Sequence, residues 1–237
     1  AAENDHKEIC KLLLERGADI EVTNEEGWTV LMMVSGNGNE KICKLLLDRG
    51  ANIQATDING MTALMYAASV GNKNMCKLLL SNGANIEEVN EDGWTPLMHV
   101  AVSGHEEICN LLIDKGANIE AADIEGITIL MKAAENGNIV ICELLLDKGV
   151  EIDAGDNFGR RALMFAVANN HTSVCEILLD RLANIDAEDK EGFTALMFAA
   201  LSGYKDACKL LLHNGAKVTL YKNGGTEKLH TILEINS

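Results

Sequence analysis

The residues that could do chemistry in this chain are seven cysteines and six histidines. Paired cysteines could form disulfides, and cysteines with histidines at short spacing could hold zinc. The chain contains no C-x-x-C motif and no cysteine with a histidine at ligand spacing. The cysteines instead recur every 33 residues, at Cys10, Cys43, Cys76, Cys109, Cys142, Cys175 and Cys208. This spacing predicts one cysteine in each unit of a repeat, not a cluster of ligands.

The periodic cysteines are expected to be reduced. Equivalent positions in stacked helices lie roughly 8–10 Å apart, whereas a disulfide needs Cα atoms closer than about 7 Å. Each cysteine also lies on an apolar stripe, as in Ile108-Cys109-x-Leu111-Leu112, where a thiol packs as a small hydrophobic group. We therefore expect buried free thiols and a cytoplasmic, reducing compartment.

The histidines offer no catalytic site. His6, His105 and His171 occupy the same turn position in different repeats, so they are spread along the chain and cannot converge on a metal or a nucleophile. His99 lies on a predicted helix with no obvious partner, as a groove-lining or packed residue. Because function must be argued from a site, we expect no catalytic residue, no metal, no cofactor and no enzyme activity in this segment.

The composition limits the classes of partner. The formal net charge is -16, which repels nucleic acid and anionic membranes and attracts a basic partner. No apolar run is long enough to span a membrane, so no membrane insertion is expected. Aromatic residues make up 4% of the chain, so the core must consist mostly of Leu, Ile, Ala, Met and Cys.

The repeated unit is clearest over residues 90–122. It contains an Asx-x-x-Gly turn, a threonine suited to cap a helix, a short apolar helix, a glycine that breaks it and a second amphipathic helix ended by another glycine. The turn glycine recurs as Gly27, Gly60, Gly93, Gly126, Gly159 and Gly192. The pattern predicts stacked helix-turn-helix units.

This unit resembles the ankyrin repeat, whose pattern is a turn, Thr-Pro-Leu-His-x-Ala, a second helix and Gly-Ala. Thr95-Pro96-Leu97-Met98-His99-Val100 comes nearest, and Gly116-Ala117 completes it. The resemblance implies an all-α solenoid of helix-turn-helix units with short β-turn fingers, in a single domain over residues 1–237. Its expected parts are a truncated half repeat at 1–23, full repeats at 24–56, 57–89, 90–122, 123–155, 156–188 and 189–221, and a C-terminal half repeat or cap at 222–237.

The chain departs from the repeat pattern most strongly after residue 156. Arg161 stands where the capping threonine belongs, Asn170 replaces a glycine, and Leu182 replaces the glycine that ends the second helix. Asparagine tolerates a left-handed backbone fairly well, but leucine does not. This region is therefore predicted to be the weakest part of the array or a site kept irregular for use.

The resemblance implies a non-catalytic module, or scaffold, that binds a partner protein or peptide on the concave face made by fingers and first helices. Large side chains follow each turn glycine, which a purely solvated surface would not favour. Two interpretations, partner binding and packing against a neighbouring finger, stand about even for Met61 and Ile127, and binding is favoured for the two tryptophans. The predicted binding residues are Trp28, Ile58, Met61, Tyr66, Trp94, His99, Ile124, Ile127, Phe158, Arg160 and Phe193.

Further expectations concern the partner and the parent protein. An acidic surround suits a partner with basic and apolar side chains. Arg160 and Arg161 form a local basic spot that either pairs with nearby acids or selects an acidic segment. A structural spacer within a larger multidomain protein is the alternative function. Because residues 1–6 align with the end of a first helix, end-to-end self-association through a truncated N-terminus is also expected.

Overall fold

Thirteen α-helices, joined by turns, make up the regular structure of residues 6–218, the part of the chain that this computed structural model describes. The predicted helix end at the start of the chain and the predicted final helix over 226–235 lie outside the described residues. The helices are α1 (Lys7–Glu15), α2 (Val30–Gly36), α3 (Glu40–Asp48), α4 (Ala63–Ser69), α5 (Lys73–Ser81), α6 (Pro96–Ser103), α7 (Glu106–Asp114), α8 (Ile129–Glu135), α9 (Ile139–Asp147), α10 (Ala162–Ala168), α11 (Thr172–Asp180), α12 (Ala195–Ser202) and α13 (Lys205–His213).

The chain divides into two compact units, Ala1–Asn118 and Ile119–Ser237. In the first unit, the first helices α2, α4 and α6 pack side by side, and the second helices α1, α3, α5 and α7 form another layer. In the second unit, α8, α10 and α12 form one layer, and α9, α11 and α13 form the other. Each unit is thus a two-layered stack of helix pairs, as the repeat predicts.

The first helices begin where the sequence predicts. In five of them, a threonine hydroxyl accepts a hydrogen bond of 3.3 Å from the backbone N–H of the methionine three residues later. This bond satisfies one of the amides that a helix leaves free at its start. The capping threonines are Thr29, Thr62, Thr95, Thr128 and Thr194.

The prediction of buried, free cysteines is confirmed. All seven cysteines are buried and none is in a disulfide. Burial raises the pKa of five thiols to about 12, which leaves them protonated and unreactive at neutral pH. These five are Cys43, Cys76, Cys109, Cys142 and Cys175.

Successive repeats are joined by a hydrogen bond at the loop that follows each second helix. A carboxylate in this loop accepts a hydrogen bond from the backbone N–H of the residue 31 positions later. The N···O distances are 2.7–3.0 Å. The acceptors are Glu21, Glu87, Glu120, Asp153 and Asp186. Gln54 takes the same place in its repeat with a longer bond, 3.3 Å, from the Asn85 N–H. The loop side chain therefore sets the register between neighbouring repeats.

The repeat at 156–188 has the same backbone conformation as the others, although three of its residues do not favour that conformation. Arg161 makes no capping bond at the start of α10. Asn170 and Leu182 have φ values of 58° and 66°, in the left-handed region that glycine takes at the equivalent positions. Leu182 is also 86% exposed, so its side chain gains little by burial. This repeat therefore carries local strain and lacks a helix cap.

Apolar side chains are exposed on α1. Ile9, Leu12 and Leu13 are each 48% exposed, and the expected end-to-end association through this helix stays a prediction. Among residues 6–218, no helix has both the length and the apolar character needed to cross a membrane.

Replacing Leu182 with glycine should stabilise the protein. The substitution removes the side chain that opposes the left-handed backbone and sacrifices almost no buried area, so we expect a gain of about 1 kcal/mol. Urea unfolding of the two proteins measures it. Asn170→Gly is the matched control at a second left-handed position, where we expect about 0.5 kcal/mol or less because asparagine tolerates this conformation. A Leu182→Gly protein that is no more stable than the original would contradict the assignment of strain.

The register bond at Asp186 should make stability depend on pH. The bond from the Lys217 backbone N–H lowers the pKa of this carboxyl below its usual 3.8. A lowered folded-state pKa stabilises the protein above the unfolded pKa, about 3.9, and this contribution is lost as the pH falls through the folded pKa. Asp186→Asn should therefore cost about 0.5–1 kcal/mol at pH 7 and nothing near pH 2.

Urea unfolding across this pH range tests the expectation. Asp180→Asn is the control, because the described residues offer the Asp180 side chain no hydrogen bond or ion pair. We expect no comparable loss from it at any pH. A destabilisation by Asp186→Asn that is independent of pH would show that the charge of this carboxylate is not involved.

Candidate functional site

Each turn forms a finger that begins with an Asx residue and ends one residue after the turn glycine. The side-chain oxygen of the Asx residue accepts a bond of 2.8–2.9 Å from the backbone N–H four residues later in all six fingers. The fingers are residues 24–28, 57–61 and 90–94 in the first unit, and 123–127, 156–160 and 189–193 in the second.

Neighbouring fingers within a unit are bonded to each other. In the first unit, Ile58 donates its backbone N–H to the Glu26 carbonyl at 3.2 Å, and Glu91 donates to Asn59 at 3.0 Å. Equivalent bonds of 2.8–2.9 Å join the three fingers of the second unit. At Gly60, an added Cβ would lie 2.9 Å from the Glu91 backbone nitrogen, so only glycine allows this approach. We call each set of three bonded fingers a finger row.

The aromatic residue after the turn glycine packs on a first helix. The Trp28 ring centroid lies 4.5 Å from that of Tyr66 in the next repeat, and Trp94 lies 5.2 Å from His99 in its own. In the second unit, Phe193 packs on Phe198 at 5.6 Å. These aromatic residues therefore brace the fingers and are only partly available to a partner.

A polar network holds the second finger of the first unit. The Tyr66 hydroxyl donates a hydrogen bond to Asp57 Oδ2, while Asp57 Oδ1 accepts backbone bonds of 2.8 and 2.9 Å from Asn59 and Met61. Burial, followed by the bond to Asp57, raises the pKa of Tyr66 above its ordinary value of 10, and a hydrogen bond donated by the Trp28 side chain opposes this shift. Tyr66 is thus a neutral donor that ties its own finger and the preceding one to α4.

Two buried carboxylates in the second unit are neutralised by cations. Lys132 lies on α8 and pairs with Asp123 at 3.1 Å, with both side chains less than a tenth exposed. Arg160 pairs with Asp156 at 2.7 Å. The central carbon of its guanidinium group also lies 4.9 Å from the ring centroid of Phe165 and 5.0 Å from that of the exposed Phe158. The basic spot was expected either to pair with nearby acids or to select an acidic segment of a partner. Arg160 pairs with a nearby acid.

The predicted site residues differ widely in exposure. Ile58, Ile124 and Phe158 are 60%, 67% and 56% exposed at the finger tips. Ile127 is 6% exposed, so of the two alternatives for this residue the structure favours packing. The remaining predicted residues are partly exposed, namely Trp28, Met61, Tyr66, Trp94, His99, Arg160 and Phe193.

His99 is a packed residue of the first unit. Burial lowers its pKa to about 4, so the ring is neutral at pH 7. Its Nε2 atom is buried and has no hydrogen-bond partner in the described chain. The His105 ring lies close to Gly71, and the His171 ring lies close to Gly137, in each case the glycine of the preceding repeat. Within residues 6–218, no group of three or more His, Cys, Asp or Glu side chains could hold a metal ion.

The buried ionic and polar partners of the fingers were missed from the sequence. Asp57 with Tyr66, and Asp123 with Lys132, are each nine residues apart, from the start of the finger to the middle of the first helix. This spacing brings the second carboxylate oxygen within reach of the helix. An aspartate nine residues before a tyrosine or lysine was therefore the available signal.

Removing the Tyr66 hydroxyl should destabilise the first unit. Tyr66→Phe keeps the ring contact with Trp28 but leaves the buried Asp57 Oδ2 without its donor and the Trp28 side-chain N–H without its acceptor, so we expect a loss of about 1–2 kcal/mol. Urea unfolding measures it. Tyr204→Phe is the matched control, since the Tyr204 hydroxyl has no hydrogen-bond partner in the part of the chain described. Equal stability of the Tyr66→Phe protein and the original would show that the network contributes nothing.

Comparison with known proteins agrees with this architecture. A family model described as ankyrin repeats, in three copies, matches residues 1–90, 83–156 and 130–222. No curated protein sequence matches the chain significantly. Ankyrin repeats generally act as protein–protein interaction modules and are typically not catalytic. The family model covers nearly the whole chain and the helices pair as the repeat requires, so this chain belongs to the ankyrin repeat family, with its all-α fold.

Proposed function

We propose that the chain binds a partner protein or peptide through its finger rows and the adjoining surface of the first helices. The observation that carries this proposal is the exposure of Ile58, Ile124 and Phe158 at finger tips. Each side chain has more than half of its surface in water, although isoleucine and phenylalanine gain about 1.5–3 kcal/mol on full burial. A partner that covers these tips would recover that free energy.

The fingers suit recognition because they are already ordered. Their backbones are bonded within each finger and to the next finger of the same unit, and in three fingers an aromatic residue packs on a first helix. Binding to an ordered surface loses less conformational entropy than binding to a mobile loop. The tips can therefore contribute affinity without first being fixed by the partner.

The finger row of the second unit carries two exposed apolar tips. Ile124 and Phe158 belong to neighbouring fingers, and the Asn157 side-chain amide donates a 3.1 Å bond to the Ile124 carbonyl. The Phe158 ring also has Arg160 5.0 Å from its centroid. A partner placing apolar groups on this surface would contact both tips at once.

The charge of the protein favours a basic partner. A net charge of -16 accelerates association with cations and disfavours nucleic acid and anionic membranes. We therefore propose a protein or peptide partner with basic and apolar side chains. The seven unpaired cysteines further support a reducing, cytoplasmic site of action.

Mutating the three tips together tests the function better than mutating the tryptophans, because Trp28 and Trp94 also brace the fold. The test variant is Ile58→Ser, Ile124→Ser and Phe158→Ser, and the matched control is Val70→Ser, Val140→Ser and Leu201→Ser. The control residues are 53%, 47% and 44% exposed and lie outside the fingers.

Each protein is immobilised and used to capture partners from a cell extract, which are quantified by mass spectrometry and then measured individually as purified proteins. We expect a partner that the original and control proteins bind and that the tip variant binds at least about tenfold more weakly, since each lost apolar contact costs about 1 kcal/mol or more. If the tip variant keeps every partner of the control, the proposal is wrong, and the alternative of a structural spacer gains support.

A further inference from the structure

The cations of the first unit are separated from its finger row. In residues 6–118, every lysine and arginine lies on a second helix or on the residue that follows its end. The nine residues are Lys7, Lys11, Arg16, Lys41, Lys44, Arg49, Lys73, Lys77 and Lys115. The fingers and first helices of this unit therefore contain no lysine or arginine.

The acidic side chains of the same finger row flank an apolar centre. Glu25 and Glu26 lie in the first finger, and Glu91 and Asp92 lie in the third. All four residues are exposed, and none pairs with a cation within the described part of the unit. Ile58, 60% exposed, projects from the finger between them.

The order of these groups is set by backbone bonds. The Ile58 N–H is bonded to the Glu26 carbonyl, and the Glu91 N–H to the carbonyl of Asn59. The first unit therefore presents an acidic finger, an apolar finger and a second acidic finger, in that order. His99 adds no positive charge, since burial keeps its pKa near 4.

The finger row of the second unit has a different charge pattern. Its fingers and first helices carry Lys132, Arg160, Arg161 and Lys190. Two of these cations are held by buried carboxylates, and the Lys190 ammonium donates a 2.7 Å bond to the Asn157 carbonyl. The second row thus combines the exposed Glu125 and Glu191 with cations, whereas the first row carries acidic residues and no lysine or arginine.

We propose that the finger row of the first unit binds an extended peptide segment with one apolar side chain between two cationic ones. Charge complementarity selects lysine or arginine opposite the outer fingers, and Ile58 selects the apolar residue opposite the middle one. Neighbouring repeats are about 10 Å apart by helix packing, and three residues of a polyproline II helix span roughly this distance with their side chains on one face. The recognised pattern is therefore basic-x-x-apolar-x-x-basic. This inference rests on the proposed function and names the ligand class of one of its surfaces.

A synthetic peptide with this spacing, Lys-Ala-Ser-Leu-Ser-Ala-Lys with blocked ends, is the direct probe. It is titrated into the full chain labelled with ¹⁵N, and amide shifts are followed by NMR. We expect a dissociation constant of about 0.1–1 mM, typical of so few contacts, with the largest shifts in residues 24–28, 57–61 and 90–94. Changing the central leucine to serine, or placing the two lysines side by side, should weaken binding at least about threefold.

The matched variants have equal net charge. Glu25→Gln, Glu26→Gln, Glu91→Gln and Asp92→Asn remove four charges from the finger row. The control substitutions Glu40→Gln, Asp48→Asn, Glu106→Gln and Asp114→Asn remove four from α3 and α7. We expect the finger variant to bind about tenfold more weakly, because four exposed charges each contribute about twofold. The control should stay within about twofold of the original.

Three results would overturn the inference: no amide shifts at several millimolar peptide, shifts centred outside the first finger row, or equal weakening in both variants. The last result would show that the peptide responds to net charge alone. Loss of partners from the tip variant together with no peptide binding would refute this inference and leave the proposed function standing. The peptide could instead bind at the first finger row while the tip variant keeps every captured partner. That result would refute the proposed function and leave this inference standing.

Discussion

The hydrogen bond that each loop side chain accepts from the backbone of the next repeat is the constraint on which the other contacts depend. It joins residues 31 positions apart, as Glu21 does with the Asn52 N–H at 2.7 Å. The bond fixes where each repeat starts relative to the one before it. The fingers, which begin a few residues later, are thereby placed close enough for their own backbones to bond. An insertion within a repeat would break both bonds, which explains why the spacing of 33 residues is kept throughout.

The same register divides the large finger residues into two kinds. Residues after the turn glycine face the first helices, so Trp28 packs on Tyr66 and Phe193 on Phe198. Residues inside the turn face water, as Ile58 and Ile124 do. The first kind makes the finger row rigid and the second kind makes it a binding surface. Rigidity and recognition are therefore supplied by neighbouring residues of one short turn.

A common backbone also allows the two units to differ in charge. Buried aspartates at finger starts accept a hydrogen bond from the Tyr66 hydroxyl, or pair with Lys132 or Arg160. Each of these partners compensates a buried carboxylate, but they leave different charges around the finger. Acidic tips without cations remain in the first unit, whereas the second unit brings its own cations to the fingers. Selectivity can thus change by substitution at a few positions without altering the repeat.

The sequence by itself determined the helix pairs, the threonine caps, the buried cysteines and the left-handed positions at Asn170 and Leu182. These features follow from local spacing and from residue chemistry repeated along the chain, so no knowledge of distant contacts was needed. The exposure of the finger residues was decided only by the tertiary structure. Ile127 is buried and Ile124 exposed within one turn, and Arg160 is engaged by Asp156 and two phenylalanines. Exposure depends on which side chains neighbouring elements bring into contact, and that depends on three-dimensional packing.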